Sequence, residues 1–135
     1  MPYLKTYHLF ISHAWDYNEE YYRLVNMLQG TPYFKWRNYS VPQHDPLTGG
    51  GQLEAQLRNQ VQPVHAMLIL AGMYVNHRQW IQYELDLARE YGKPVIGVYP
   101  WGQQRAPVQV TNAAAAMVGW NTDSIVAAVR EYSLR

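Results

Sequence analysis

Two segments far apart in the chain carry the residues best suited to chemistry. The first, His8-Leu9-Phe10-Ile11-Ser12-His13-Ala14-Trp15, reads as a short buried strand ending in small, polar and aromatic residues. The second, Trp80-Ile81-Gln82-Tyr83-Glu84-Leu85, reads as a helix with one acid beside an aromatic on an otherwise apolar stretch. In an open α/β sheet the ligand crevice lies at the carboxyl ends of the strands. A lone carboxylate in such a crevice can stabilise positive charge on a sugar carbon. Cleavage of a glycosidic bond in a nucleotide is therefore the leading chemistry.

Glu84 follows Trp80 by four residues, so the two share a helix face. Ile81, Leu85 and Ala88 form the core stripe of that helix. Glu84 then sits at the boundary between core and crevice. Two readings stay open: a surface acid on a solvated helix, as most charged residues are, or a partly desolvated carboxylate with a raised pKa. Ser12 either caps the next helix or faces the crevice, and His13 is a loop histidine or a pocket residue. His8, His44, His65 and His77 are dispersed, with no paired spacing, so a metal site has little support. No G-x-S-x-G elbow, G-x-G-x-x-G or G-x-x-x-x-G-K-[ST] occurs. Phe10, Trp15, Trp36, Tyr39 and Trp80 offer flat apolar surfaces that stack on bases or fill a core. Asn38, His44 and Asp45 can reach ribose hydroxyls, although Asp45 before Pro46 is equally a turn initiator.

The elements that must position these residues alternate. Tyr7 to Ile11 is strand one. Asp16-Tyr17-Asn18-Glu19 has capping-box spacing, and Tyr21, Leu24, Val25 and Leu28 mark one helix face. Phe34 to Val41 reads as strand two. Pro42 to Gly51 is a long loop with three consecutive glycines, and long loops in compact domains are often functional. Leu53, Leu57 and Val61 mark a weaker helix. Ala66 to Ala71 is an unbroken apolar run, as expected of a strand buried on both faces. Trp80 to Tyr91 is the helix carrying Glu84, stopped by Gly92. Val95 to Tyr99 is a strand, followed by a poorly defined linker. Ala115 to Val118 reads as the last strand, although its alanines could equally end a short helix, and Asn121 or Thr122 caps a final helix with Ile125, Val126 and Val129 inward. This order predicts an α/β fold with a five-stranded, mainly parallel sheet in the order 2-1-3-4-5 and helices on both faces. The loops after Ser12 and after Ala71 border its switch point.

The bulk properties narrow the classes. A chain of 135 residues is read as one domain, 1–135, with a single core. Twelve Tyr and five Trp make it aromatic-rich. A formal charge of +1 with no basic block argues against nucleic acid as partner. Zero cysteines excludes disulfides, zinc thiolates and thiol catalysis. No apolar run approaches the roughly 18 residues of a membrane span, and Met1 to Lys5 has no signal core. A cytoplasmic protein without membrane contact is the expectation.

Three stretches carry a family resemblance. Phe10-Ile11-Ser12-His13-Ala14-Trp15 resembles the strand-one box of TIR-like families. Phe34-Lys35-Trp36-Arg37-Asn38-Tyr39-Ser40-Val41-Pro42, then His44-Asp45-Pro46-Leu47, resembles the narrower TIR-like family typified by the Thoeris antiphage defence proteins. Val118-Gly119-Trp120-Asn121, followed by Ser124-Ile125-Val126, is similar to that family's C-terminal signature. The resemblance runs from about Tyr7 to Tyr132. It implies a flavodoxin-like TIR fold and cleavage of the nicotinamide–ribose bond of NAD⁺, taken as substrate with no cofactor and no metal. It further implies cyclisation of the ADP-ribose moiety into a signal that reaches a separate effector protein. It places the catalytic glutamate at Glu84 with Trp80 before it, pocket lining at Phe10, Ser12 and His13, and substrate contacts at Asn38 and Asp45; an aromatic-rich pocket of Phe10, Trp15 and Trp80 is compatible with it. A homo-oligomer is compatible with it.

Two other classes compete. A non-catalytic TIR interaction module would leave Glu84 an ordinary helix residue. A nucleoside deoxyribosyltransferase-like enzyme would use a glutamate on a similar fold.

Overall fold

The computed structural model describes residues 6–12, 19–39, 57–71, 78–99 and 106–134. Five strands form one sheet: β1 (Thr6–Ile11), β2 (Lys35–Asn38), β3 (Ala66–Leu70), β4 (Val95–Val98) and β5 (Ala116–Val118). Their order is β2-β1-β3-β4-β5, and every pairing is parallel. This is the α/β, flavodoxin-like arrangement expected from the alternation of elements. The helices are α1 (Glu19–Gln29), α3 (Arg78–Glu90), α4 (Val108–Ala113) and α5 (Thr122–Tyr132), with a helical segment α2 at 57–61.

The apolar runs explain the centre. All five residues of β3 and all four of β4 are buried, as are Leu9 to Ile11 of β1. Right-handed crossovers put α1 on one face and α3 on the other; α5 packs beside α1 and α4 beside α3. Leu24 and Leu28 of α1, Ile81, Leu85, Leu87 and Ala88 of α3, and Ile125, Val126 and Val129 of α5 close the core. Gly97 opens room within β4, because a side chain there would run into Met117 of β5 and Val110 of α4.

Several ends are set by local chemistry. Gly92 takes φ 67° just past α3. Lys93 N–H donates to Ala88 O at 2.8 Å and Gly92 N–H to Arg89 O at 3.2 Å. These are the paired bonds of a glycine-terminated helix. Asn121 caps α5, its Oδ1 accepting from Ser124 N–H at 3.0 Å.

Four expectations are corrected. Strand two is shorter than Phe34 to Val41: Tyr33 turns the chain at φ 59°, and the strand spans Lys35–Asn38. The expected linker before the last strand contains α4. The last strand begins at Ala116 rather than Ala115. The Glu84 helix begins at Arg78 rather than Trp80. The Asp16 capping box, the loop Pro42 to Gly51 and Leu53 lie outside the described residues.

Candidate functional site

The switch point falls between β1 and β3, where the chain leaves β1 at Ser12. Ile11 pairs with Leu68, and Ser12 N–H donates to Leu68 O at 2.9 Å. The next ladder bond of a parallel pair would run from Leu70 N–H to the Ser12 carbonyl. Here Leu70 N–H donates instead to Ser12 Oγ at 3.1 Å. The hydroxyl stands in for the main-chain acceptor, so β3 stays paired one step beyond the end of β1. Ser12 is completely buried. Its hydroxyl is a strap across the switch point, and the residues it would cap lie outside the described residues.

Glu84 lies mid-way along α3, three or four residues from Ile81, Leu87 and Ala88, all of them buried. Its own exposure is 1%, which overturns the reading of a solvated surface acid and goes beyond a position at the core boundary. Oε1 has no hydrogen-bond partner among the described residues. Burial pushes the carboxyl well above the usual glutamate range, and no counter-ion among the described residues contributes. Leaving a buried polar atom unpaired costs stability, so such a group is a functional-site candidate on physical grounds. It suits a carboxyl that waits for a cationic or hydroxyl-bearing ligand.

The remaining expected residues divide. Phe10 is buried within β1, two residues before Ser12. Asn38 ends β2 on the exposed edge of the sheet. The backbone of Trp80 lies in the first turn of α3, and its side chain is outside the described atoms. His13, Trp15 and Asp45 lie outside the described residues. The structure thus places Phe10, Ser12 and Glu84 in the buried centre, and Asn38 at its rim.

One constellation is not signalled by the local sequence. His8 N–H donates to His65 Nδ1 at 2.8 Å, their rings lie 4.7 Å apart, and the Tyr39 ring is 4.9 Å from His8. His65 Nδ1 therefore accepts and carries no proton. Only the β1–β3 register, Leu9 beside Ala66, could have announced the pair. Among the described residues no three His, Cys, Asp or Glu side chains form a metal-binding group. No described helix is long and apolar enough to cross a membrane.

The family model described as Thoeris protein ThsB, TIR-like domain, matches residues 10–105. That range holds Phe10, Ser12, His13, Trp15, Asn38, Asp45, Trp80 and Glu84, and stops short of the resemblance noted at 118–126. No curated protein matches the chain.

Proposed function

The chain belongs to the TIR-like domain family of the Thoeris protein ThsB, and from that membership and the buried Glu84 we propose that it cleaves the nicotinamide–ribose bond of NAD⁺. The observation that carries the reading is a carboxyl that is 1% exposed, with one oxygen unpaired among the described residues, on the helix after β3.

The chemistry follows from the bond to be broken. The C1′–N electron pair leaves with the pyridinium ring, which departs as neutral nicotinamide and needs no proton. C1′ becomes oxocarbenium-like, and a carboxylate beside it lowers the barrier. Glu84 must ionise to act in this way. Burial alone favours its neutral form, and the positive charge of the incoming pyridinium favours the carboxylate. Substrate binding and ionisation are then one coupled event. A ribose hydroxyl of the same molecule next attacks C1′ and passes its proton to Glu84, closing a cyclic ADP-ribose isomer. That closure requires water to be held off. The product is the proposed message to a separate effector in antiphage defence.

Purified protein, supplied with NAD⁺ and an extract of infected cells as trigger, should release nicotinamide and a cyclic nucleotide in equal amounts. Glu84→Gln should abolish both while keeping the native circular dichroism spectrum. Undiminished nicotinamide release by Glu84→Gln rejects the assignment. Linear ADP-ribose as sole product would leave a simple glycohydrolase.

A further inference from the structure

An open cavity lined by described residues lies away from Glu84. It lies on another side of the same helix, in a groove between α3 and α4, near where β4 begins. Its volume is about 400 Å³, within the range of small-molecule sites and toward the lower end. Leu85, Ala88 and Val95 contribute an aliphatic floor. Around the floor stand Arg89, Gln109 and Asn112. The side chains of these three form no hydrogen bond or ion pair among the described residues.

We propose that this groove is a second ligand site, for a phosphorylated molecule of mononucleotide size. An uncommitted guanidinium is the side chain best matched to phosphate, which it meets with two parallel N–H bonds. Two free carboxamides each offer donors and an acceptor, the pattern that reads hydroxyls and base edges. An aliphatic floor seats the flat face of a base. Asp86 stands at the same rim, accepts from Gln82 Nε2 at 3.1 Å and keeps its negative charge, which Arg89 and Lys93 together outweigh. Lys93 adds positive charge at the lip, its Nζ donating to Gln62 O at 2.7 Å. Burial lowers the Lys93 pKa, and an arriving anion would offset that disfavoured charge. The groove and Glu84 face different ways from α3, so the inference stands apart from the proposed NAD⁺ chemistry.

Isothermal titration of the full chain tests it, with the four ribonucleoside monophosphates, adenosine, ribose 5-phosphate and inorganic phosphate as probes. At least one monophosphate should bind at one per chain, more tightly than adenosine or phosphate alone. Arg89→Gln, a change at an exposed position, should weaken it at least about tenfold while keeping the native circular dichroism spectrum. Glu84→Gln should leave it unchanged. Three results overturn the proposal: no saturable binding of any monophosphate, binding indifferent to Arg89→Gln, or binding lost in Glu84→Gln. Phosphate alone binding as tightly as every monophosphate would also overturn it, since the floor would then seat nothing.

Discussion

Glu84 and Glu90 stand on the same helix, six residues apart, in opposite circumstances. Glu90 is about half exposed, and Arg58 Nη1 reaches both its oxygens, at 3.0 and 3.1 Å. Tyr91 OH and Gln62 extend that network along the surface. Glu84 is sealed from water, and its Oε1 has no partner among the described residues. If both acids served the fold, the buried one would need a partner more than the exposed one. The assignment is the reverse. A fold selected only for stability would place a leucine at 84, and stability is commonly sacrificed where function demands it. The contrast makes Glu84 the candidate for function and Glu90 its control on the same helix.

The largest expected effect breaks this comparison at its functional end. Glu84→Gln keeps the shape and removes the charge, and nicotinamide release should fall about a hundredfold or more, roughly 2.7 kcal/mol of transition-state stabilisation. Stability should move in a direction set by linkage. The folded-state pKa of Glu84 is raised above its ordinary value of about 4.5. The folded chain therefore holds a proton that the unfolded chain has lost. Glu84's contribution is complete below about 4.5 and declines as pH rises toward its folded pKa, at about 1.4 kcal/mol per pH unit. Glu84→Gln should remove this one-proton slope. Urea unfolding at intervals from pH 4.5 upward measures it; identical slopes in both proteins would show that Glu84 ionises freely in the fold.

The contrast between the two acids was only half legible in the sequence. The buried strands were plain, because Ala66 to Ala71 and Val95 to Tyr99 are uninterrupted apolar runs, and alternation with helices dictated the sheet order. The burial of Glu84 was encoded as well: it lies three residues after Ile81 and four before Ala88, both on the core stripe. The general exposure of charged residues argued the other way, and tertiary packing decided. α4 was hidden for a different reason. Val108, Val110 and Thr111 are β-branched, Pro107 supplies no side-chain cap, and only Val110 is buried; propensity predicts no helix there. Ser12 as a strap needed the register of β1 on β3, which no local pattern contains.

Ser12→Ala tests the satisfied counterpart of Glu84. It leaves Leu70 N–H buried with its acceptor gone, and should cost about 1–3 kcal/mol, read as a lower urea midpoint with an unchanged m-value. A neutral result would mean that the Ser12 carbonyl or a water takes over the bond. Gly92→Ala probes the end of the same helix that carries both acids. The φ of 67° strains any Cβ, while nothing lies within 4 Å to clash with it. The loss should be about 1 kcal/mol, and Gly92→Asn should recover part of it.

The smallest effect sharpens the comparison from its other end. Arg58 and Glu90 make the better-looking interaction, with two charge-assisted contacts, yet water solvates both side chains, 41% and 52% exposed. Exposed pairs gain little because each charge loses hydration and each long side chain loses freedom on pairing. Glu90→Gln should therefore leave the unfolding midpoint within measurement error and nicotinamide release untouched. Any residual difference should fade between low salt and half-molar salt, where screening shortens the reach of a surface charge. A clear destabilisation that persists in high salt would show that the Arg58 network anchors α3 to α2, and that Glu90 holds in place the helix on which Glu84 depends.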